Sequence, residues 1–83
     1  MKTVTLYTTD TCPYCRSAKA LLAGKGISPL EINVQHTPGK LEEMLSRSGR
    51  RSVPQIFFGD TYIGGFDDLA KLDRQGALMS MLA

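Results

Sequence analysis

The sequence predicts an α/β fold in which helices flank a mixed four-stranded sheet, in the order β-α-β-α-β-β-α. Segments of alternating apolar and polar residues are interleaved with segments whose apolar residues recur every three or four positions. Strands joined through a helix run parallel, and a hairpin adds an antiparallel strand. The chain has 83 residues, 42% hydrophobic and 22% charged, so we expect one domain spanning residues 1–83.

The first third of the chain predicts a strand, a helix and a second strand. Lys2–Thr8 alternates and is rich in β-branched residues, as a strand requires. Pro13–Ala23 has the apolar spacing of a helix, with a proline suited to its first turn and Gly24 suited to its end. Leu30–Val34 alternates again and predicts the second strand.

The middle of the chain predicts a helix followed by a hairpin. Thr37–Pro38 has the pattern of an N-cap and a first-turn proline, and the helix should end near Gly49. Gln55–Phe58 and Thr61–Ile63 predict two strands, with a tight turn at Gly59–Asp60 between them.

The last part of the chain predicts a third helix. Asp67 or Asp68 is expected to cap its start, and Gly76 to end it. Ala77–Leu82 is expected to form a further short helix.

Charge and hydropathy narrow the classes of function. The net charge is +2, and the nearest approach to a basic patch is Arg47, Arg50 and Arg51, which we interpret as a solvated helix end. We therefore expect no nucleic-acid partner. No apolar run reaches the roughly 18 residues of a membrane span, and the first residues lack the apolar stretch of a secretion signal. These features predict a cytoplasmic protein, which we expect to be a monomer.

The two cysteines, Cys12 and Cys15, are the strongest functional signal from the residues themselves. A pair three residues apart excludes a secreted disulfide scaffold and favours redox chemistry or metal binding. Cys12 precedes the first helix and Cys15 lies in its first turn, so both sulfurs should be close enough for a disulfide. Zinc would need two more ligands, and His36 is the only histidine, so only a dimer could complete a metal site.

Thiol chemistry at Cys12 needs the thiolate. An ordinary thiol, with a pKa near 8.5, is only a few per cent ionised at neutral pH. Lowering that pKa to about 5.5 requires roughly 4 kcal/mol, and a helix N-terminus supplies only about 0.3–2 kcal/mol. Direct hydrogen bonds must supply the rest. Pro13 has no N–H, so the candidate donors are the Tyr14 and Cys15 amides and the Cys15 thiol.

The roles of the two sulfurs follow from their positions. Cys12 is the predicted nucleophile, and Cys15, one turn deeper and less exposed, is predicted to resolve a mixed disulfide. Arg16 and Lys19 add positive charge nearby, which is screened where they are exposed.

Three motifs resemble those of the dithiol glutaredoxins in order and spacing. They are Thr11–Cys15, Ser52–Pro54 and Gly64–Asp68. The resemblance covers essentially the full chain and is strongest to the short bacterial members of the family. It implies a thioredoxin fold and glutathione as the reducing co-substrate, with no permanently bound cofactor.

The resemblance also implies a glutathione site. In the family the peptide bond before the proline of the second motif is cis, so the Val53 backbone can pair with extended glutathione. Asp67 and the helix-start amides would hold the γ-glutamyl end, and Tyr14 would form a wall beside the sulfur. The implied contact residues are Tyr14, Ser52, Val53, Pro54, Gly65, Phe66 and Asp67, with Pro13 and Arg16 supporting Cys12 and Cys15.

The sequence departs from the family pattern at three positions. Thr9 stands where many members carry a lysine that holds a glutathione carboxylate, a task that Arg16 or Arg51 could take over. Ser52 replaces a threonine, which keeps the hydroxyl. Phe66 stands where cysteine, serine or threonine is frequent, and adds apolar bulk.

These features predict glutathione-dependent reduction of protein disulfides and of protein–glutathione mixed disulfides. The alternative within the enzyme class is a redoxin that is reduced by thioredoxin reductase and serves ribonucleotide reductase. Phe66 and Thr9 favour this alternative, and the Val53–Pro54 and Gly64–Asp68 motifs weigh against it. The alternative from another class is a dimer that holds an iron–sulfur cluster or zinc through Cys12 of each chain.

Overall fold

The computed structural model describes residues 1–83 and contains a four-stranded sheet with helices on both faces. The elements in chain order are β1 Val4–Thr8, α1 Pro13–Gly24, β2 Leu30–Asn33, α2 Lys40–Ser48, β3 Gln55–Phe58, β4 Thr61–Gly64, α3 Phe66–Arg74 and α4 Leu78–Leu82. No helix is both long and apolar enough to cross a lipid bilayer.

The strand order in the sheet is β2-β1-β3-β4. β1 pairs in parallel with β2, as a strand–helix–strand crossover requires, and antiparallel with β3. β3 and β4 form the antiparallel hairpin. The mixed sheet predicted from the sequence is therefore confirmed, and its two central strands are β1 and β3.

Alternation along the central strands divides the core between the two faces of the sheet. On one face, side chains of β1 and β3 pack with side chains of α1, α3, α4 and the loop after α1 in a cluster of ten buried residues, namely Val4, Leu6, Ala18, Leu22, Ile27, Ile56, Phe58, Leu69, Leu78 and Leu82. The other face carries Tyr7 and Phe57, which pack with Met44 of α2. The helices α1 and α3, whose N-termini border the predicted site, thus share the larger core.

The predicted start of α2 is wrong. Thr37 and Pro38 do not cap the helix: they form a turn in which the Lys40 amide donates to the Thr37 carbonyl oxygen at 3.2 Å. Gly39 follows with a φ of 81°, which lies in the left-handed region and interrupts the helical path. The helix therefore begins at Lys40.

The predicted cap of α3 is also wrong. The helix begins at Phe66, with Gly65 as its N-cap, so Asp67 and Asp68 lie inside the first turn. Asp68 still contributes to the cap, because its Oδ2 accepts a hydrogen bond from the Gly65 amide at 3.0 Å. This reaching-back contact is half of a capping box.

Arg47 is exposed in the last turn of α2, as the sequence suggested, but its side chain also contacts the sheet. Its Nη1 donates to the Tyr7 hydroxyl at 2.8 Å, and its guanidinium carbon lies 3.9 Å from the centroid of the Phe57 ring. The buried Tyr7 hydroxyl in turn donates to Glu43 Oε2 at 2.6 Å. Arg47 and Glu43 therefore join α2 to the centre of the sheet.

Candidate active site

The cysteine pair lies where β1 leads into α1. Cys12 is the N-cap of α1, with an extended backbone (φ −130°, ψ 99°), and Pro13 is the first helical residue. Cys12 and Cys15 form a disulfide, with their Cα atoms 5.1 Å apart. The exposed fraction is 7% for Cys12 and 2% for Cys15, so the predicted difference in exposure is confirmed.

One helix-start amide points at the Cys12 sulfur. The Cys15 N–H donates to Cys12 Sγ at 3.1 Å. Of the predicted amide donors, the Cys15 amide makes this contact and the Tyr14 amide does not. A donor fixed by the helix N-terminus favours negative charge on the sulfur, because it stabilises thiolate more than thiol.

A second segment closes over Cys12 from the sheet. The Val53 carbonyl oxygen lies 3.6 Å from Cys12 Sγ. The Val53–Pro54 peptide bond is cis, the isomer that the resemblance implied. The chain from Ser52 to Pro54 therefore runs directly beside the cysteine pair.

A groove of about 240 Å³ extends away from this junction. All seven residues that the resemblance assigned to ligand contact line it. The complete lining consists of Tyr14, Arg50, Ser52, Val53, Pro54, Gln55, Gly65, Phe66, Asp67 and Asp68. Arg16 and Arg51, the cations expected to substitute for the missing lysine, are absent from it.

Two aromatic rings form one end of the groove beside the cysteines. Tyr14 and Phe66 stack with their centroids 6.2 Å apart and their planes at 29°. Tyr14 is 62% exposed, so a ligand can reach its ring. The bulk of Phe66 thus extends the aromatic wall that Tyr14 begins.

The two aspartates of the third motif differ in their contacts. Asp68 is engaged with the Gly65 amide, and its carboxylate lies against Gly64 so closely that a Cβ at that position would collide with it. Gly64 also has a φ of 125°, which favours glycine. Asp67 is exposed and makes no hydrogen bond or ion pair within the protein, so its carboxylate is available to a ligand.

Thr9 lies outside the groove. It borders a separate hollow of about 320 Å³ with Asp10, Lys19 and Glu31 among its neighbours. No residue lines both the hollow and the groove. The Thr9 side chain therefore does not contribute to the groove.

The loop that leads to Cys12 is held by a polar cluster around Asp10. The Asp10 carboxylate accepts hydrogen bonds from His36 Nε2 and from Asn33 Nδ2, and the Asp10 amide donates to Gln35 Oε1. The hydrogen bond from His36, and then the one from Asn33, lowers the pKa of Asp10 below its ordinary value. These contacts tie the cysteine loop to the segment that follows β2.

Sequence reasoning missed Arg50, Gln55 and Asp68 as lining residues. Arg50 and Gln55 flank the Ser52–Pro54 motif, so their proximity along the chain was an available signal. Gln55 carried a second signal, since a buried amide inside an apolar strand pattern needs hydrogen-bond partners. Nowhere in the chain do three or more His, Cys, Asp or Glu side chains form a group that could hold a metal ion.

Comparison with known proteins extends the geometric findings. The family model described as "Glutaredoxin" matches residues 4–63. The chain is 51% identical over 82 residues to "Glutaredoxin 3" of Escherichia coli (strain K12), covering 99% of each. A solution structure of glutaredoxin from Brucella melitensis is 50% identical, with a TM-score of 0.85, and the match covers 99% of this chain and 89% of that one. The crystal structure of a buckwheat glutaredoxin–glutathione complex is 28% identical, with a TM-score of 0.88, covering 98% of this chain and 76% of that one.

Proposed function

The chain belongs to the glutaredoxin family and is a thiol–disulfide oxidoreductase with a thioredoxin fold, and from that premise we propose the following division of labour. Cys12 is the nucleophile, Cys15 is the resolving thiol, and glutathione binds in the groove as the reducing co-substrate. The substrates are protein–glutathione mixed disulfides and protein disulfides, reduced in the cytoplasm.

One observation carries the proposal: the carbonyl oxygen of Val53, which lines the groove, lies 3.6 Å from Cys12 Sγ. A glutathionyl group joined to Cys12 would find the Val53 backbone beside it, where an extended peptide can pair as a strand does. Tyr14 and Phe66 would flank its sulfur. The unpartnered Asp67 carboxylate suits the γ-glutamyl ammonium, and helix-start amides suit the adjacent carboxylate.

The reaction with a mixed disulfide proceeds by two exchanges. The Cys12 thiolate attacks the glutathione sulfur, a bond forms between the two, and the protein thiolate leaves and takes a proton. A second glutathione thiolate then attacks the bound glutathione sulfur, which releases oxidised glutathione and restores the Cys12 thiolate. Attack and departure occur at sulfur alone, so this route does not need the Cys15 thiol.

Protein disulfides require both cysteines. Cys12 attacks one sulfur and releases the other as a thiolate, and Cys15 then displaces the substrate sulfur and leaves the Cys12–Cys15 disulfide. Two glutathione molecules reduce that disulfide and become oxidised glutathione. The disulfide between Cys12 and Cys15 in the structure corresponds to the enzyme form that precedes this last step.

The test is turnover of a small glutathione mixed disulfide, with glutathione and glutathione reductase supplying electrons. Cys12→Ser is expected to abolish turnover, because no thiolate remains to attack. Cys15→Ser is expected to keep a substantial fraction of it. Equal loss in both variants would contradict the single-thiol route.

The thioredoxin-reductase-dependent alternative is separated by the choice of reductant. Glutathione and thioredoxin reductase are compared side by side on the same disulfide substrate. We expect efficient reduction by glutathione. Reduction by thioredoxin reductase alone would instead favour a redoxin of the kind that serves ribonucleotide reductase.

A further inference from the structure

Gln55 is a buried amide directly behind the Ser52–Pro54 segment. Its exposed fraction is 1%. Its Nε2 donates to the Ser52 carbonyl oxygen at 2.8 Å and lies 3.2 Å from Ser52 Oγ, while its Oε1 accepts from the Tyr62 hydroxyl at 2.6 Å. Both ends of the amide are therefore hydrogen-bonded. One end contacts the loop before β3, and the other contacts β4.

The orientation of this amide follows from its two partners. The Ser52 carbonyl oxygen can only accept a hydrogen bond, so it requires the NH₂ end of Gln55. The Tyr62 hydroxyl donates to the other end and holds that orientation. The Tyr62 ring is itself placed by Phe57, with their centroids 5.2 Å apart.

The segment that Gln55 reaches has few other hydrogen bonds, although Pro54 is buried and Val53 packs against the cluster of Tyr7, Met44 and Phe57. Residues 50–54 make no hydrogen bond between backbone groups. At Arg50, the amide donates to Ser48 Oγ and the carbonyl oxygen accepts from it. At Ser52, the carbonyl oxygen accepts from Gln55. The hydrogen bonding of this segment at Ser52 thus comes from a side chain of β3 and not from a strand ladder.

We propose that Gln55 and Tyr62 are positioning residues, which hold the Ser52–Val53 backbone in the geometry that glutathione pairs with. The inference deepens the proposed function and rests on it for the identity of the ligand. Neither residue acts on the reacting sulfurs. Because Val53 would contact the glutathionyl group before and during exchange alike, loosening this segment weakens binding and leaves the chemical step intact.

Tyr62→Phe is the sharpest test, since it keeps the ring against Phe57 and removes only the hydroxyl. It is expected to raise KM for the small glutathione mixed disulfide about three- to tenfold, the effect of one lost hydrogen bond, with kcat unchanged. Gln55→Leu is expected to raise KM at least as much. Adding Tyr62→Phe to Gln55→Leu should then have almost no further effect, because the two act through one contact.

Tyr7→Phe is the matched control. It removes a tyrosine hydroxyl from the same sheet, but one that bonds Glu43 and Arg47 and not Gln55, and it keeps the ring in the cluster on which Val53 packs. It should lower the stability to unfolding while leaving both kcat and KM unchanged. If Tyr7→Phe raised KM as much as Tyr62→Phe does, a general loss of stability would explain both, and the proposal would be overturned.

Backbone NMR order parameters of the Ser52 and Val53 amides provide a readout that needs no glutathione. They should fall in Tyr62→Phe and stay unchanged in Tyr7→Phe. If the unmodified protein did not turn over with glutathione, the proposed function would fail while these order parameters still decided whether Tyr62 braces the segment. If it turned over and Tyr62→Phe left both KM and the order parameters unchanged, the inference alone would fail.

Discussion

Arg50 is the one cationic side chain that lines the groove, and Asp67 lies among its acidic lining residues. Glutathione carries one ammonium group and two carboxylates. The Asp67 carboxylate complements the ammonium group, and Arg50 and the N-terminus of α3 complement the carboxylates. Arg50 supplies a positive charge to the groove, which Thr9 does not line. The departure at Thr9 therefore does not leave the groove without a cation.

Arg50→Ala is expected to raise KM for glutathione about two- to tenfold, because an ion contact at an exposed site is worth only about 0.2–1 kcal/mol and a charge-assisted hydrogen bond somewhat more. The increase should shrink at high salt, which screens exposed charges. Arg51→Ala is the control, since Arg51 is exposed and lies outside the lining. An equal effect of the two substitutions would indicate general electrostatic attraction instead of a contact in the groove.

Asp67 and Asp68 are neighbours with separable effects. Asp68→Ala removes the hydrogen bond to the Gly65 amide and should cost about 0.5–2 kcal/mol of stability, as the loss of a helix cap does. Asp67→Ala removes no contact within the protein and should raise KM for glutathione with little change in stability. Urea unfolding and steady-state kinetics on both variants check this crossed pattern, and the opposite assignment would contradict it.

Helix α2 is joined to the sheet by polar contacts as well as by Met44. The buried Tyr7 hydroxyl lies between Glu43 and Arg47. Burial, and then the hydrogen bond to Glu43, raises the pKa of Tyr7 above its ordinary value. The hydrogen bond from Tyr7, and then the one from Lys40, lowers the pKa of Glu43 below its ordinary value of 4.5.

The lowered pKa of Glu43 predicts how the stability depends on pH. A carboxyl group with a lowered pKa in the folded state stabilises the fold above its ordinary pKa, and that contribution is lost as the pH falls through the lowered value. Glu43→Gln should therefore be less stable than the unmodified protein near neutral pH, and the difference should narrow below a pH of about 4.5. Urea unfolding across this range measures it.

Glu42→Gln is the control for this pH dependence. Glu42 is exposed on the same helix turn and makes no hydrogen bond or ion pair. Its substitution should leave the pH profile of stability unchanged. If both variants changed the profile alike, the net charge of α2, and not the Tyr7 contact, would be the cause.

The elements show which features the sequence could predict. Strand and helix identities follow from local periodicity, and the start of α1 follows from Pro13, so these predictions are confirmed. The start of α2 is wrong because Thr37–Pro38 suits a turn as well as a cap, and the left-handed Gly39 decides between them. Arg47 could not be placed from the sequence, because its partners Tyr7 and Phe57 become neighbours only when the sheet forms.

The same distinction applies to the site. The cysteine pair is encoded within four residues, and its placement at the start of α1 was predictable. The groove joins segments that are distant along the chain, and only the resemblance brought Ser52–Pro54 and Asp67 together with Cys12. Gln55 and its bond to Tyr62 depend on the pairing of β3 with β4, which fixes the distance between their side chains.

At the scale of the whole molecule, the larger core connects the two helices that border the groove. Leu69 of α3 is fully buried among side chains from α1, β1 and β3. A domain of this length is stable by only about 4–12 kcal/mol, at about 0.05–0.15 kcal/mol per residue. A single cavity in this core therefore removes a large share of the total.

Leu69→Ala is expected to cost about 2–5 kcal/mol, the range for truncating a buried leucine, and each kcal/mol should lower Tm by about 4–8 °C. Leu30→Ala is the control, because Leu30 is 56% exposed and its truncation should stay within about 0.5 kcal/mol. Thermal unfolding of the two variants measures the contrast. An equal, small effect at both positions would mean that the face shared by α1 and α3 does not carry the stability, and that the groove between their N-termini is held mainly by the contacts of the Ser52–Pro54 segment.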